Sequence, residues 1–183
     1  MKQVTLYTVG HSNRESGELL ALLGAAGVVA LVDVRAHPQS RRHPQFGQAA
    51  LREAAEAARI TYHWAGRQLG GRRRTRPESP HRALAEDGLR GYADYMDSAE
   101  FAGAAGQLLR LAGRAPTAVL CAERLPEDCH RSLIADYLML QGARVLHLID
   151  DGELREHRLR PEARRESSRL VYDRNVSAAL HFG

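Results

Sequence analysis

Side chains able to carry chemistry fall in three short clusters of this sequence, each directly after a run of apolar residues. Apolar strands that end in charged or nucleophilic residues are typical of a site at one edge of a parallel sheet, where ligands usually bind. We therefore expect the three clusters to meet in space. The clusters contain His11 and Ser12; Asp33 and Arg35; and Cys121, Glu123, Cys129, His130 and Arg131.

The first candidate chemistry is nucleophilic attack on a bound substrate. A cysteine thiolate would be the nucleophile, since nearby cations and a helix start lower the pKa of a thiol. A histidine would act as general acid or base, and a carboxylate would orient that histidine. The predicted catalytic residues are His11, Asp33, Cys121, Glu123, Cys129 and His130.

The same clusters predict a binding site for an anion such as phosphate. Helix starts and arginine side chains both donate hydrogen bonds to phosphate oxygens. The predicted anion-binding residues are Ser12, Arg35, Arg72 and Arg131. Arg72 belongs to a long, arginine-rich loop at about residues 66–87. This loop could close over a ligand or grip a nucleic-acid backbone, or it could be a solvated charged loop.

Each cluster also has a structural interpretation. Ser12 followed by Glu15 fits a capping box at a helix start. Asp33 and Arg35 could form a structural ion pair, and the two cysteines could be small residues of the core.

Zinc binding is the second candidate chemistry. Cys121, Cys129 and His130, with His11 as a further ligand, are ligand types that zinc accepts. The Cys-x7-Cys-His spacing is not a standard zinc pattern, so a site without metal is the leading expectation.

Familiar cofactor motifs do not occur in the sequence. The segment that starts at Gly10 lacks the second and third glycines of the dinucleotide fingerprint, and no Walker phosphate loop is present. Neither cysteine is followed by an arginine at the spacing that a phosphatase-type loop needs. We expect no NAD or ATP chemistry of the usual kind, and the cofactor stays unknown.

The composition is that of a soluble globular protein: of 183 residues, 44% are hydrophobic and 26% are charged. No apolar run is long enough to cross a membrane, and the N-terminus enters a predicted strand directly, without room for a signal peptide. We therefore predict a cytoplasmic protein. The net charge of +4 fits an anionic partner, a small ligand or nucleic acid, but an arginine-rich composition bias explains it as well.

Strand-like and helix-like apolar patterns alternate along the chain. Strands are predicted at residues 4–9, 28–34, 60–64, 117–121 and 143–149, and a strong helix over 126–140. The alternation predicts an α/β fold: one Rossmann-like domain with a mainly parallel five-stranded sheet, helices on both faces and strand order 3-2-1-4-5. Residues 1–150 would form this domain. Residues 151–183 would be a charged C-terminal extension, a short helix or an extended tail, packed on the domain or trailing from it.

Together, the motifs resemble a known family. In chain order they are Thr8-Val9-Gly10-His11-Ser12, Asp33-Val34-Arg35, Leu69-Gly70-Gly71, Cys121-Ala122-Glu123 and Cys129-His130-Arg131. This set is similar to the domain of unknown function 488 family of bacterial and archaeal proteins, from about Thr5 to Leu148. The resemblance implies a single Rossmann-like α/β domain and supports these motifs as the site, but it supplies no reaction.

The leading prediction is an enzyme, hydrolase-like or transferase-like, that acts on an anionic, phosphate-bearing substrate such as a nucleotide or nucleic acid. The alternative is a non-catalytic protein that binds nucleotides or nucleic acid with the same arginines and needs no nucleophile or base. A purely structural or interaction role is third, and the density of reactive side chains counts against it.

Overall fold

A computed structural model describes residues 3–174 of the chain, and this part has an α/β fold. Its strands are β1 (Thr5–Gly10), β2 (Ala30–Asp33), β3 (Thr61–Trp64), β4 (Thr117–Cys121), β5 (Arg144–Asp150), β6 (Glu153–Glu156), β7 (Ala163–Glu166) and β8 (Arg169–Tyr172). Its α-helices are α1 (Ser16–Ala25), α2 (Gln48–Ala57), α3 (Gly66–Leu69), α4 (Asp87–Tyr95), α5 (Ala99–Arg114) and α6 (Arg131–Leu140). Short 3-10 turns occupy Pro44–Phe46 and Pro126–Asp128.

Six strands form one sheet in the order β3-β2-β4-β1-β5-β6. The first five are parallel, as predicted, and β6 adds an antiparallel edge strand beside β5. The predicted order 3-2-1-4-5 is wrong, because β4 lies between β2 and β1. All five residues of β4 are buried, which suits a central strand. The carboxyl ends of β2, β4 and β1 are therefore neighbours.

Helices cover both faces of the sheet, as the uninterrupted apolar strands predict. On one face Leu31 and Leu120 share an apolar cluster with residues of α1 and α2. On the other face Val32 and Val119 share a second cluster with residues of α4, α5 and α6. No helix within residues 3–174 is both long and apolar enough to cross a bilayer.

Two helix starts differ from the prediction. The helix predicted over 126–140 starts only at Arg131, because Cys129 is extended (φ −149°, ψ 173°) after the 3-10 turn. Helix α1 is capped by Glu15, whose N–H donates to the carboxylate of Glu18 at 2.7 Å. The capping role predicted for Ser12 is therefore wrong. Ser12 instead adopts a positive φ of 50° before the helix.

Between residues 151 and 174 the chain forms strands rather than the predicted short helix or extended tail. Strand β6 extends the main sheet, and β7 and β8 form a separate antiparallel pair. Leu170 and Tyr172 of β8 belong to the apolar cluster that covers one face of the sheet. The end of the predicted extension, residues 175–183, lies outside the described residues.

Candidate active site

An open cleft of about 780 Å³ lies at the carboxyl ends of β1, β2 and β4. Gly10 allows this arrangement, because a Cβ at that position would overlap the carbonyl oxygen of Glu123 in the connection after β4. The cleft brings together side chains of all three predicted clusters. Its polar and ionisable lining includes His11, Ser12, Arg35, His37, Arg41, Arg42, His43, Arg72, Glu86, Cys121, Glu123, Asp128, Cys129 and His130.

Two cysteines from different elements meet in this cleft. Cys121 is the last residue of β4, and Cys129 lies just before α6. Their sulfur atoms are 3.1 Å apart and share a hydrogen bond, and both thiols are free and buried. The N–H of Arg131, at the start of α6, donates to the sulfur of Cys129 at 3.4 Å.

The two thiols differ in acidity. Burial and the adjacent Cys129 raise the pKa of Cys121. The hydrogen bond from Cys121 lowers the pKa of Cys129, and the charge and N–H of Arg131 lower it further, although burial opposes them. Of the two sulfurs, Cys129 is therefore the one whose surroundings favour the thiolate form, with Cys121 as its hydrogen-bond partner.

Arg131 is completely buried, and its side chain does not line the cleft. Its Nη2 donates to the carbonyl oxygens of Glu123 and Arg124, at 3.1 Å and 3.0 Å. Its Nε and Nη1 have no hydrogen-bond partner among residues 3–174. A buried cation favours a compensating anion nearby, and the charge of Arg131 lowers the pKa of Cys129. Arg131 thus acts on the sulfur from inside the protein and is not exposed to bind a substrate anion.

Glu123, not His130, joins the two cysteines in the group that best fits a metal. Single ligand atoms of Cys121, Glu123 and Cys129 all lie within 4.8 Å of one another. Two thiolates on one tetrahedral zinc, with Zn–S bonds of about 2.3 Å, would hold their sulfurs roughly 3.8 Å apart. The observed 3.1 Å suits a hydrogen bond between the two sulfurs instead.

His11 follows β1 and has a defined orientation. Its ring stacks on Phe46 with 4.5 Å between centroids, and its Nδ1 lies 2.8 Å from the carbonyl oxygen of Ser12. That contact assigns the proton to Nδ1 and leaves Nε2 as an acceptor. Burial lowers the pKa of His11 to about 4, although the bond to Ser12 opposes the shift. His11 is therefore neutral at pH 7, with an unprotonated Nε2 that is a weak base.

His130 lies between Cys129 and α6, and it also lines the cleft. Its ring packs on Tyr92, with 4.8 Å between centroids. Gly71 makes room for it, since a Cβ there would stand 3.0 Å from Nδ1 of His130. Burial lowers the pKa of His130 to about 4, so this histidine is neutral at pH 7 as well.

Asp33 and Arg35 form a buried ion pair with 2.6 Å between Oδ2 and Nη2. The hydroxyl of Tyr62 donates to the same carboxylate at 2.6 Å, and Nη1 of Arg35 donates to the carbonyl oxygen of Phe46 at 2.8 Å. Within residues 3–174 the Asp33 carboxylate is thus bonded to Arg35 and Tyr62 and to neither site histidine. The charge of Arg35 is already balanced by Asp33. The pair also fixes the backbone at Phe46, whose ring stacks on His11.

Other predicted anion-binding residues lie at the edge of the cleft. Ser12 lines it; its N–H donates to the carbonyl oxygen of Ala122 at 2.8 Å, and its hydroxyl donates to Oδ1 of Asn13 at 3.3 Å. Arg72 is exposed and lines the same cleft.

The arginine-rich loop is only partly free. Arg73 lies over the ring of Tyr95, 3.7 Å from its centroid, and Arg76 forms an ion pair with Asp94 at 3.1 Å. These contacts hold the loop against α4, so it is not the uniformly flexible basic arm that its sequence allowed. Arg74 is exposed, like Arg72, but does not line the cleft.

Charges of both signs occupy the edge of the cleft. Arg41, Arg42 and Arg72 are exposed and positive, and Glu86, Glu123 and Asp128 are exposed and negative.

Two supporting residues could not be identified from the sequence. Phe46 and Tyr62 belong to segments distant from the motifs, and their apolar patterns mark them only as core residues.

One comparison with known proteins gives a match. A family model described as Domain of unknown function DUF488 matches residues 16–138, about two thirds of the chain. The matched range contains the second and third clusters, and it starts after His11 and Ser12. It is therefore shorter than the range from Thr5 to Leu148 over which the motifs resemble that family. No curated protein and no solved structure matches the chain.

Proposed function

Because the chain belongs to the DUF488 family, whose description assigns no reaction, we propose a function from its own side chains. The protein is an enzyme in which the Cys129 thiolate attacks an anionic, phosphate-bearing substrate bound in the cleft. The observation that carries this proposal is the position of Cys129, which lines an open cleft close to Arg131, a completely buried arginine with no carboxylate partner among residues 3–174.

The charge balance supports a nucleophilic thiolate. Among residues 3–174 the Arg131 side chain has only carbonyl oxygens as hydrogen-bond partners, and its charge lowers the pKa of Cys129, although the charge of Glu123 opposes that shift. The first N–H of α6 and the thiol of Cys121 both donate to that sulfur. Stabilisation by a cation and a helix start is the arrangement that activates cysteine nucleophiles.

The basic side of the cleft supports an anionic substrate. Arg41, Arg42 and Arg72 are exposed there, and arginine pairs with phosphate through parallel hydrogen bonds. The volume of about 780 Å³ is within the range of small-molecule sites, which favours a small phosphate ester over a nucleic-acid duplex. Predicted binding by Arg35 and Arg131 is not part of this proposal, because the first is paired with Asp33 and the second is buried.

The remaining side chains suit proton transfer in the second half of a two-step reaction. The sulfur of Cys129 forms a bond to the electrophilic atom of the substrate, and the leaving group departs into the open cleft. A water molecule then replaces the sulfur, which returns as thiolate. His11 is the first candidate to accept the proton of that water, because its Nδ1 is bonded to Ser12 and its Nε2 is unprotonated at pH 7, although a pKa of about 4 makes it a weak base. Glu123, whose carboxylate lies near both sulfurs, is the second candidate base.

The first experiment measures the alkylation rate of the native protein with a neutral reagent, iodoacetamide, across pH 5 to 9. We expect one reactive thiol, Cys129, with a midpoint below the usual value near 8.5. Cys129→Ser identifies the reacting residue. Two equally slow thiols with an ordinary midpoint would contradict the assignment of a thiolate.

The second experiment screens phosphate esters, with nucleotides first, for turnover. Cys129→Ser should abolish turnover, and Arg72→Ala should raise KM. Arg74→Ala is the matched control, because Arg74 is equally exposed but lies outside the cleft. Loss of binding in Arg72→Ala without turnover in the wild type would instead support the non-catalytic binding alternative.

A further inference from the structure

We propose that Cys129 is a site of oxidation by hydroperoxides and that Cys121 converts the oxidised sulfur into a reversible disulfide. The inference rests on the placement of the two sulfurs and holds whether or not the protein is the enzyme proposed above. It assigns a separate role to Cys121, whose buried thiol does not act on the substrate in that reaction.

The sulfurs are already close to bonding distance. They are 3.1 Å apart, and a disulfide of about 2.05 Å requires an approach of roughly 1 Å. The two sulfurs are in direct contact, because each is the hydrogen-bond partner of the other.

The backbone around Cys129 allows this approach, whereas the backbone around Cys121 does not. Cys121 is fixed by β4, which is hydrogen-bonded to β1 and β2 on either side. Cys129 is extended and lies between a 3-10 turn and α6, after a connection whose residues 123–125 are exposed. Its N–H bond to the carbonyl oxygen of Pro126 is long, at 3.4 Å. We therefore expect Cys129 to move toward a stationary Cys121.

Cys129 is more accessible from the cleft than Cys121, as oxidation followed by disulfide formation requires. Cys129 is 6% exposed and Cys121 is 1% exposed, and both line the cleft. A small oxidant can reach Cys129 from the cleft, whereas Cys121 is confined next to it. A thiolate-forming, accessible cysteine beside a second, resolving cysteine is the usual arrangement at redox-sensitive sites.

The chemistry balances with hydrogen peroxide as the oxidant. The Cys129 thiolate attacks one peroxide oxygen, the O–O bond breaks, and sulfenic acid and hydroxide form. The sulfur of Cys121 then attacks the sulfenic sulfur, and water leaves with the hydroxyl oxygen of that acid and the thiol proton. Two thiol sulfurs are oxidised by two electrons in total, and one peroxide is reduced to hydroxide and water.

Arg131 makes the disulfide easy to reduce. The reduced pair supplies a thiolate beside the buried guanidinium, and the disulfide supplies no charge there. Because the buried positive charge favours the reduced form, a thiol reductant should restore both cysteines readily.

The test treats the reduced, full-length protein with a small excess of hydrogen peroxide and follows its intact mass and free thiols. We expect a monomer lighter by two hydrogens, with no free thiol, that returns to the starting mass with dithiothreitol. In Cys121→Ser, and in Cys121→Ala as a second variant, Cys129 should stop at sulfenic acid and be trapped by dimedone. Cys129→Ser is the matched control and should resist this oxidation.

Three results would overturn the inference: two free thiols after peroxide, a disulfide only between two chains, or direct conversion of wild-type Cys129 to sulfinic acid. These outcomes differ from failure of the proposed enzyme. Rapid alkylation of Cys129 without an internal disulfide would leave the nucleophile intact and remove only the redox role. A disulfide without turnover of any phosphate ester would leave the redox role intact and contradict only the proposed enzyme.

Discussion

Asp33→Asn tests whether the second cluster is structural support for the site or part of the reaction. Asp33 is completely buried, and its carboxylate accepts three hydrogen bonds from Arg35 and one from Tyr62. Asparagine keeps the shape of the side chain but removes its charge, so the buried guanidinium of Arg35 loses its counter-ion. Removal of one partner of a buried pair typically costs about 3–5 kcal/mol. We expect the free energy of unfolding to fall by about that amount.

The loss would be large against the total stability of a domain, about 5–15 kcal/mol. Urea unfolding followed by circular dichroism measures it, and we expect a lower midpoint with an unchanged slope. Glu127→Gln is the control, since it breaks the exposed ion pair with Arg155 and should change stability by less than about 1 kcal/mol.

The position of Arg35 extends the effect to the cleft. Its Nη1 holds the carbonyl oxygen of Phe46, and the ring of Phe46 stacks on His11. Asp33→Asn should therefore lower activity and stability together. An Asp33→Asn protein with nearly wild-type stability and no activity would refute this reasoning, because it would make Asp33 a group that acts on the substrate.

Four further outcomes are expected. Arg131→Gln should raise the pKa of Cys129 and so move the midpoint of its alkylation rate to higher pH, and an unchanged midpoint in a folded variant would contradict the charge balance. Gly10→Ala should lower the urea midpoint because its Cβ overlaps backbone, whereas Gly17→Ala, whose Cβ has no atom of residues 3–174 outside its own helix within 4 Å, should not. Burial lowers the pKa of His147 to about 3, so the unfolded chain binds more protons below pH 6.5. Stability should thus be complete above pH 6.5 and fall as the pH is lowered toward 3, and equal urea midpoints at pH 7 and pH 5 would contradict this. Elemental analysis should find less than one zinc per chain, and stoichiometric zinc lost on serine substitution of both cysteines would contradict the hydrogen-bonded thiol pair.

The general place of the site could be predicted because strand ends are marked in the sequence. The apolar run before Asp33 and the run before Cys121 each stop at a polar residue, and in a parallel sheet such ends share one edge. That inference does not depend on the order of the strands. The three clusters therefore meet at one edge of the sheet although the predicted strand order is wrong. The order could not be predicted because alternating strand and helix patterns do not indicate which strands are neighbours.

The orientation of individual arginines could not be predicted. Arg35 is neutralised by a carboxylate two residues earlier and fixed by a carbonyl oxygen from a later loop. Arg131 is buried because its own loop turns two carbonyl oxygens toward it. The sequence does not distinguish these two arginines from the exposed Arg72, because the residue type and its place in a motif do not show whether the side chain faces a ligand or the core.

His157, which follows β6 in the segment that the sequence left as an extension, contributes to the site through a buried chain of hydrogen bonds. Thr8 in β1 bonds to His147 in β5 at 2.6 Å, His147 to His157 at 2.9 Å, and His157 to the Asp136 carboxylate in α6 at 2.7 Å. With the hydroxyl of Thr8 donating to His147, Nε2 of His147 donating to His157, and Nε2 of His157 donating to Asp136, each contact has one donor and one acceptor. Helix α6 is thereby fixed to the centre of the sheet. Because Arg131 is its first residue, the same chain of bonds fixes the buried cation beside the reactive sulfur.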